Sequence, residues 1–434
     1  MLVQVDSGNS RTGIHLVDAR SSQWLRLSSS RFTKQGPFWI PMGGGRELRF
    51  YLDSFFVPQS FRELMRGEMA RLFPERAKNA SQFLPRQKTS TLEEILESDL
   101  LEAASQALDT ERFFKRPLHS MLVTGEANGL KRDQKGLLLF GQGASPFAAV
   151  RVSPESKPTS QSLKQEFDVV RRLKKHFPPA AKPFLPPHPL LRECGGFTFL
   201  AHPFMPGRSV FYELRNAWRP RKNAARHLSS GLEWLMHFQK AAWIESVELR
   251  QEPVMSHISG ILSELRRATP LTAREQVMID YLGKLAWELR HERIPLSVSH
   301  GNFWPRNMIW REGRMHVLGW EDFTNLALPF KDLFLFPLSY GLSYPWKRGQ
   351  WIHPQAAFAC TFLERNWLSK LVQDYFATYC RQLNMDVRLL DLFLPLFLTE
   401  QFVQEKKKGA NGEPFLWRDL IREYAQRGGC PLFS

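Results

Sequence analysis

The most constraining feature of the sequence is a polar loop near residue 300 that is followed by two short apolar runs. Residues 299–307 read Ser-His-Gly-Asn-Phe-Trp-Pro-Arg-Asn, and an apolar run continues to residue 310. A second apolar run, residues 317–322, ends in Glu321 and Asp322, and the segment 312–314 between the runs has the composition of a tight turn. The pattern predicts a strand, a tight loop and a β-hairpin.

Upstream of this loop the sequence predicts a small antiparallel sheet with one helix. Short apolar runs separated by turn residues predict strands at 121–123, 136–140, 147–152 and 196–201. Arg151 lies near the end of the third of these strands. Residues 160–175 have helical periodicity, and Glu166 stands among their apolar positions.

The second half of the chain is predicted to be mainly helical. Apolar residues recur at helical spacing in stretches at 227–242, 257–268, 273–290, 354–383 (with a break), 387–405 and 415–426. Residues 177–189 are rich in proline and predict a polyproline-like connection.

Residues 1–114 carry weaker signals. Strands are predicted at 2–5, 13–17, 24–27 and 46–55, and helices at 61–72 and 92–108. The glycine run at 43–45 lacks the Lys-Ser/Thr of a phosphate-binding loop, which favours a turn. No motif in this part of the chain indicates a function.

The loop and the hairpin resemble the active-site core of the aminoglycoside phosphotransferase and choline kinase families, which are relatives of protein kinases. The family pattern is His-Gly-Asp, four residues, Asn, and then an apolar strand that ends in Asp-Trp. The resemblance implies an α+β, two-lobed protein kinase-like fold after an α+β extension. The predicted boundaries are 1–114 for the extension, 115–205 for the β-rich N-lobe and 206–434 for the helical C-lobe.

The resemblance also implies a role for each matching residue. Arg151, in the place of a lysine, would hold nucleotide phosphates and pair with Glu166, which matches the helix glutamate of the family, while Ala201 and Phe204 would lie beside the adenine. Asn307 matches the second metal ligand. His300 matches the residue that braces the catalytic loop, and Asp332 matches an aspartate that ties the C-lobe to it.

Two positions depart from the family pattern. Asn302 stands where the family has its catalytic base, and an amide takes up no proton at working pH. Gly319 stands where the family has its main metal-binding carboxylate, and glycine offers no ligand. Glu321 could replace that carboxylate if the strand continued beyond residue 319, because alternate residues share a face. The favoured arrangement instead packs Trp320 inward and leaves Glu321 and Asp322 as surface or capping groups.

These departures favour a pseudokinase, a binding or regulatory module with lost or much reduced phosphoryl transfer. One alternative is an active ATP-dependent phosphotransferase on a sugar or other small-molecule hydroxyl, with atypical metal ligation. A second alternative is a basic anion-binding surface protein with a vestigial cleft. ATP or another nucleotide is the implied cofactor, whereas Gly319 argues against magnesium. A phosphorylated or sugar small molecule and a protein are the further partners that the sequence leaves open.

The formal net charge of +16 fits either anionic partners or a solvated basic face. Basic residues concentrate between residues 215 and 226, namely Arg215, Arg219, Arg221, Lys222 and Arg226. No zinc-finger or RNA-recognition motif accompanies this charge, which argues against nucleic acid. The four scattered cysteines and the lack of a signal peptide or transmembrane segment predict a cytoplasmic protein.

Overall fold

The computed structural model describes residues 146–214, 220–242, 245–252, 254–344, 346, 352–407 and 416–428, together with the backbone of strands before residue 141. The chain divides into two compact units. Unit 1 consists of Met1–Phe177, Leu185–Asn216 and Arg306–Glu321. Unit 2 consists of Pro178–Phe184, Ala217–Pro305 and Asp322–Ser434.

The largest sheet of unit 1 has eight strands in the order β5-β3-β4-β6-β7-β8-β10-β9, and every neighbouring pair is antiparallel. Its strands are β3 (Gln23–Leu27), β4 (Phe38–Pro41), β5 (Lys88–Thr91), β6 (His119–Thr124), β7 (Lys135–Phe140), β8 (Pro146–Pro154), β9 (Leu190–Cys194) and β10 (Phe197–Pro203). Two further strands, β1 (Val3–Gln4) and β2 (His15–Leu16), pair with each other.

One helix, α1 (Pro158–His176), packs on β8 and β10. Proline stands in its first turn, where no backbone donor is needed. Its buried face includes Leu163, Glu166, Val170 and Leu173, which recur every three or four residues. The helix ends at Phe177, whose N–H donates to Leu173 O at 2.8 Å.

A smaller sheet of unit 1 contains the hairpin that the sequence predicts. Strand β14 (Met308–Arg311) lies between β11 (Arg208–Ser209) and β15 (Arg314–Val317). The turn between β14 and β15 has φ values of 49° at Glu312 and 79° at Gly313. The short helix α2 (Val210–Leu214) follows β11 and contacts β14.

Unit 2 packs helices around a three-stranded sheet of β12 (Glu245–Glu248), β13 (Arg293–Ser299) and β16 (Thr324–Ala327). The helices are α3 (Pro220–Ala241), α4 (Val254–Ala268), α5 (Ala273–Glu288), α6 (Phe330–Ser343), α7 (Pro354–Phe358), α8 (Trp367–Leu383), α9 (Arg388–Lys407) and α10 (Leu416–Arg427). Aromatic rings fill the core, including Trp234 stacked on Phe303 at 5.1 Å and Phe330 stacked on Phe393 at 4.1 Å.

The predicted α+β class is confirmed, but several elements differ from the prediction. The proline-rich segment contains a 3₁₀-helix at Pro179–Phe184, so the predicted polyproline-like connection is wrong there. The break in the long predicted helix is a π-helical turn at Ala359–Leu363 followed by Asn366, which caps α8. The sequence analysis missed α6. The predicted elements at 46–55, 61–72 and 92–108 lie outside the described residues, and the three domain boundaries remain predictions.

None of the helices in the described part of the chain combines the length and the apolar character that crossing a bilayer requires.

We predict that Gly231→Ala destabilises the protein. Gly231 lies in α3, and a methyl group there would overlap the ring of Phe336 in α6. Alanine favours a helix by about 1 kcal/mol over glycine, but overpacking a core costs about 1–3 kcal/mol. We therefore expect a lower midpoint in thermal unfolding.

Gly260→Ala in α4 is the matched control, because no atom lies within 4 Å of the added methyl group. We expect it to leave the midpoint unchanged or to raise it, with a gain of about 0.4–1 kcal/mol. Equal effects of the two substitutions would contradict the packing of α3 against α6.

Candidate functional site

The loop after β13 is held by a buried carboxylate at the start of α6. Asp332 is 1% exposed and accepts hydrogen bonds from Ser299 Oγ at 3.0 Å, from His300 N at 2.6 Å and from Gly301 N at 2.9 Å. Burial raises the pKa of Asp332, while Lys331 and the three donors act in the opposite direction. This arrangement is a physical tie between α6 and the loop, as the sequence resemblance implies for Asp332.

Gly301 gives the loop a turn that no other residue could make without strain. Its φ is 78°, in the left-handed region, and an added Cβ would overlap the main-chain oxygen of Asp322.

His300 is buried beside the aromatic core of unit 2. Its ring lies 6.2 Å from that of Trp234 and 6.3 Å from that of Phe303. Burial, together with the charge of Lys331, lowers its pKa to about 3. The neutral ring accepts a hydrogen bond from Asn302 N through Nδ1, at 3.3 Å. His300 therefore occupies a bracing position.

Asn302 lies on the same loop and is partly exposed. Its main-chain oxygen accepts a hydrogen bond from Trp304 N at 3.0 Å. The loop thus presents an amide side chain at the position where the resemblance implies a catalytic base.

In unit 1, Arg151 and Glu166 form a partly buried ion pair between β8 and α1, in which the Arg151 side chain is 19% exposed. Glu166 is 2% exposed. Burial lowers the pKa of Arg151, but the charges of Glu166 and Glu321, with the hydrogen bond to Glu166, raise it by more, so the net shift is upward. The guanidinium therefore lies within the field of two carboxylates.

His202 joins this cluster from β10. The strand register places His202 opposite Ala149, two residues from Arg151, and its Nε2 lies 3.6 Å from Glu166 Oε1. Burial and the charge of Arg151 lower its pKa to about 3, so the ring is neutral and this contact is not an ion pair. Neither ring nitrogen has a hydrogen-bond partner among the described residues.

The segment after β15 brings Glu321 to the same cluster. The strand ends at Val317, and Gly319 has φ of 78°, so the chain turns where the sequence analysis considered a continuing strand. Glu321 is 7% exposed, and Gln165 Nε2 in α1 donates to its main-chain oxygen at 2.8 Å. The expectation that Glu321 is a surface or capping group is therefore wrong.

The neighbours of Glu321 behave as expected. Trp320 is 0% exposed, and its Nε1 donates to Val317 O at 3.1 Å. Asp322 is exposed. The predicted inward packing of Trp320 is confirmed.

Asn307, the predicted second metal ligand, also belongs to unit 1. Its side chain is largely buried, and its main-chain oxygen accepts a hydrogen bond from Leu318 N at 2.8 Å. Ala201 is buried in β10 opposite Val150, and Phe204 follows that strand directly. Within the described residues, no three His, Cys, Asp or Glu side chains are grouped so that they could hold a metal ion.

The basic segment is described only in part, since Arg215 and Arg219 lie outside the described residues. Arg221 and Lys222 are exposed at the start of α3. The Arg221 guanidinium lies 5.8 Å from the ring centre of Trp367.

Sequence reasoning missed His202 and the burial of Glu321. His202 could have been predicted from the alternation of side chains along β10. Residues 200 and 202 lie on the same face of the strand, and Leu200 pairs with Arg151, so His202 lies on the face of Arg151. No sequence signal gave the path of the chain beyond Val317.

We predict that the protein loses stability as the pH falls below about 6.5, the ordinary pKa of histidine. His202 and His300 have folded-state pKa values of about 3, so their neutral forms favour folding above pH 6.5, and this stabilisation is lost as the pH falls toward 3. Each should contribute a loss on the order of 1 kcal/mol per pH unit in that range. Urea unfolding at pH 7 and pH 5 measures it.

His202→Gln should reduce the slope of the unfolding free energy against pH by the contribution of one histidine. His257→Gln, at an exposed position of α4, is the control and should keep the wild-type dependence. An unchanged slope in His202→Gln would contradict a neutral, buried His202.

Comparison with known proteins assigns the chain to a protein family. A family model described as "Phosphotransferase enzyme family" matches residues 139–380. The comparison with curated protein sequences finds no match. The predicted resemblance to aminoglycoside phosphotransferases is confirmed by this family model.

Several solved structures are similar to the chain at low identity. One is a thermostable mutant of the aminoglycoside phosphotransferase APH(4)-Ia in a ternary complex with ADP and hygromycin B, with 14% identity, a TM-score of 0.43 and coverage of 73% of this chain and 94% of that chain. Another is ADP-bound APH(2'')-Ib, with 14% identity, a TM-score of 0.40 and coverage of 76% and 99%. Because the family model matches more than half of its 434 residues, this protein belongs to the phosphotransferase enzyme family.

Proposed function

We propose that this protein is a phosphotransferase-fold binding or regulatory module in which phosphoryl transfer is lost or much reduced. One observation carries the proposal. Arg151, at the position expected to hold nucleotide phosphates, lies within the field of the Glu166 and Glu321 carboxylates. With His202 neutral, this cluster has more negative than positive charge.

The charge of the cluster works against a triphosphate. Phosphoryl transfer depends on positioning and on cations that neutralise the phosphate oxygens. A basic residue paired with a helix glutamate is also part of active kinases, so the Arg151–Glu166 pair by itself does not weaken nucleotide binding. The charge of Glu321 is the difference, because it would repel a phosphate brought beside Arg151. A nucleotide at this position would therefore bind weakly.

The residues at the expected metal positions do not fit magnesium well. Magnesium prefers carboxylate oxygens, water and substrate phosphates as ligands. Gly319 offers none, Asn302 and Asn307 offer neutral amides, and Glu321 lies beside Arg151.

The second candidate is an active ATP-dependent phosphotransferase that acts on a sugar or other small-molecule hydroxyl with atypical metal ligation. The burial of Glu321 favours it, because a buried carboxylate two residues beyond Gly319 could supply the missing anionic ligand. In the first candidate function the Glu321 carboxylate repels the nucleotide, whereas in the second it helps to hold the metal ion and the nucleotide.

Glu321→Gln separates them in a thermal-shift titration with ATP, with and without magnesium. If the first proposal holds, the wild type shows little magnesium dependence, and the variant binds ATP about tenfold more tightly since one negative charge beside Arg151 is gone. If the second holds, the wild type shows a strong magnesium-dependent shift and transfers the γ-phosphate, and the variant loses both.

Glu312→Gln is the matched control. Glu312 lies in the β14–β15 turn of the same unit, and its side chain is 77% exposed. It should titrate like the wild type. A magnesium-dependent shift in the wild type that Glu321→Gln removes would overturn the first proposal.

We further predict that Asn302→Asp combined with Gly319→Asp increases magnesium-dependent nucleotide binding, since two carboxylates return to the family positions. Gly319 has φ of 78°, so an aspartate there carries a strain of about 1 kcal/mol. Asn302→Asp combined with Gly319→Ala carries the same strain without the ligand and serves as the control. Equal binding by the two double variants would show that Gly319 does not occupy the metal position.

A further inference from the structure

Unit 2 contains a cavity of about 400 Å³ that the family motifs do not explain. It is lined by residues of α4, α6, α9, β13 and β16 and opens to solvent, and each of these elements belongs to unit 2. Its volume lies within the range of about 300–1,000 Å³ that is typical of small-molecule sites.

The wall of the cavity is aromatic and rigid. Phe330 and Phe393 stack at 4.1 Å with an angle of 13° between their planes, and Phe397 lies beside them. Each of the three side chains is at most 4% exposed. Since these rings are held in the core, this part of the cavity wall is apolar and already formed before a ligand binds.

Some polar side chains that line the cavity already have hydrogen-bond partners within the described part of the chain, and Lys331 does not. Ser299 Oγ donates to Asp332, and Glu400 accepts from Gln404 Nε2 at 3.1 Å. Lys331 has no hydrogen bond or ion pair to another side chain within the described residues. Its neighbour Asp332 directs both carboxylate oxygens at Ser299, His300 and Gly301.

We propose that this cavity binds a small aromatic carboxylate, with its ring against the apolar wall and its carboxylate on the Lys331 ammonium. The apolar wall favours a ligand with an apolar ring, and the Lys331 ammonium favours a ligand with a negative charge. The inference does not rest on the loss of phosphoryl transfer, because it uses only residues of unit 2 outside the metal and phosphate positions.

The bound carboxylate would also influence the loop after β13. Lys331 precedes Asp332 in α6, and Ser299, which also lines the cavity, donates a hydrogen bond to Asp332, so the ligand would lie against one partner of this hydrogen bond and one residue from the other. Binding should therefore slow hydrogen exchange at the amides of His300 and Gly301 as well as along the cavity wall.

Three compounds that share the indole group but differ in charge test the proposal: indole-3-propionate (anionic), tryptophan (zwitterionic) and tryptamine (cationic). Calorimetry on the full chain should rank indole-3-propionate first and tryptamine last. Hydrogen exchange should show protection by indole-3-propionate in peptides that cover residues 254–261, 324–331 and 393–404. Tryptamine binding as tightly as indole-3-propionate would overturn the proposal, and so would protection elsewhere alone.

Lys331→Gln should weaken indole-3-propionate binding by about tenfold or more, the size expected for a lost charge-assisted hydrogen bond, and should not weaken tryptamine binding. Lys370→Gln, at an exposed position of α8, is the matched control and should leave both affinities unchanged. Equal losses in the two lysine variants would contradict the role of Lys331.

Ala327→Phe provides a test that does not depend on charge. Ala327 lines the cavity from β16, and a phenyl ring there would occupy part of its volume. The variant should lose binding of indole-3-propionate while it keeps a cooperative thermal transition. Unchanged binding in a folded Ala327→Phe protein would place the ligand outside the cavity and overturn the proposal.

Discussion

The carboxylate of Asp332 fixes the loop after β13 by accepting one side-chain and two main-chain hydrogen bonds. A buried carboxylate is costly without such donors, and loop amides without acceptors would be costly too. The loop and the first turn of α6 therefore depend on each other. His300 is then held against Trp234 and Phe303, and Gly301 makes the one close approach to the backbone at residue 322.

Unit 1 has a different electrostatic character. Around Arg151 the chain brings together Glu166 from α1, His202 from β10 and Glu321 from the segment after β15. Gln165 in α1 also donates to the main chain at Glu321, so the helix is tied to that segment by a contact of its own. The carboxylates around Arg151 outnumber its single positive charge, and this excess of negative charge is the basis of the proposed function.

Sequence reasoning succeeded where a local pattern fixes the structure. The hairpin, α1 and the position of Asp332 follow from turn composition, periodicity and a recognisable motif. It failed for α6, where nearly every residue from Phe330 to Gly341 is buried and apolar residues show no helical period. It also failed for Glu321, because the direction of the chain after Val317 depends on the left-handed turn at Gly319 and on the burial of Trp320. Such tertiary effects leave no periodic trace in the sequence.

The eight-stranded sheet of unit 1 crosses residue 114 without a break. Phe38 and Trp39 of β4 pair with Val123 and Leu122 of β6, so strands from the first part of the chain continue the same hydrogen-bonded ladder. A shortened protein that began after residue 114 would leave β6 as a bare edge, with unsatisfied amides and carbonyls open to pairing with another molecule. Self-association is therefore the expected penalty for removing this part of the chain, even though it carries no recognisable motif.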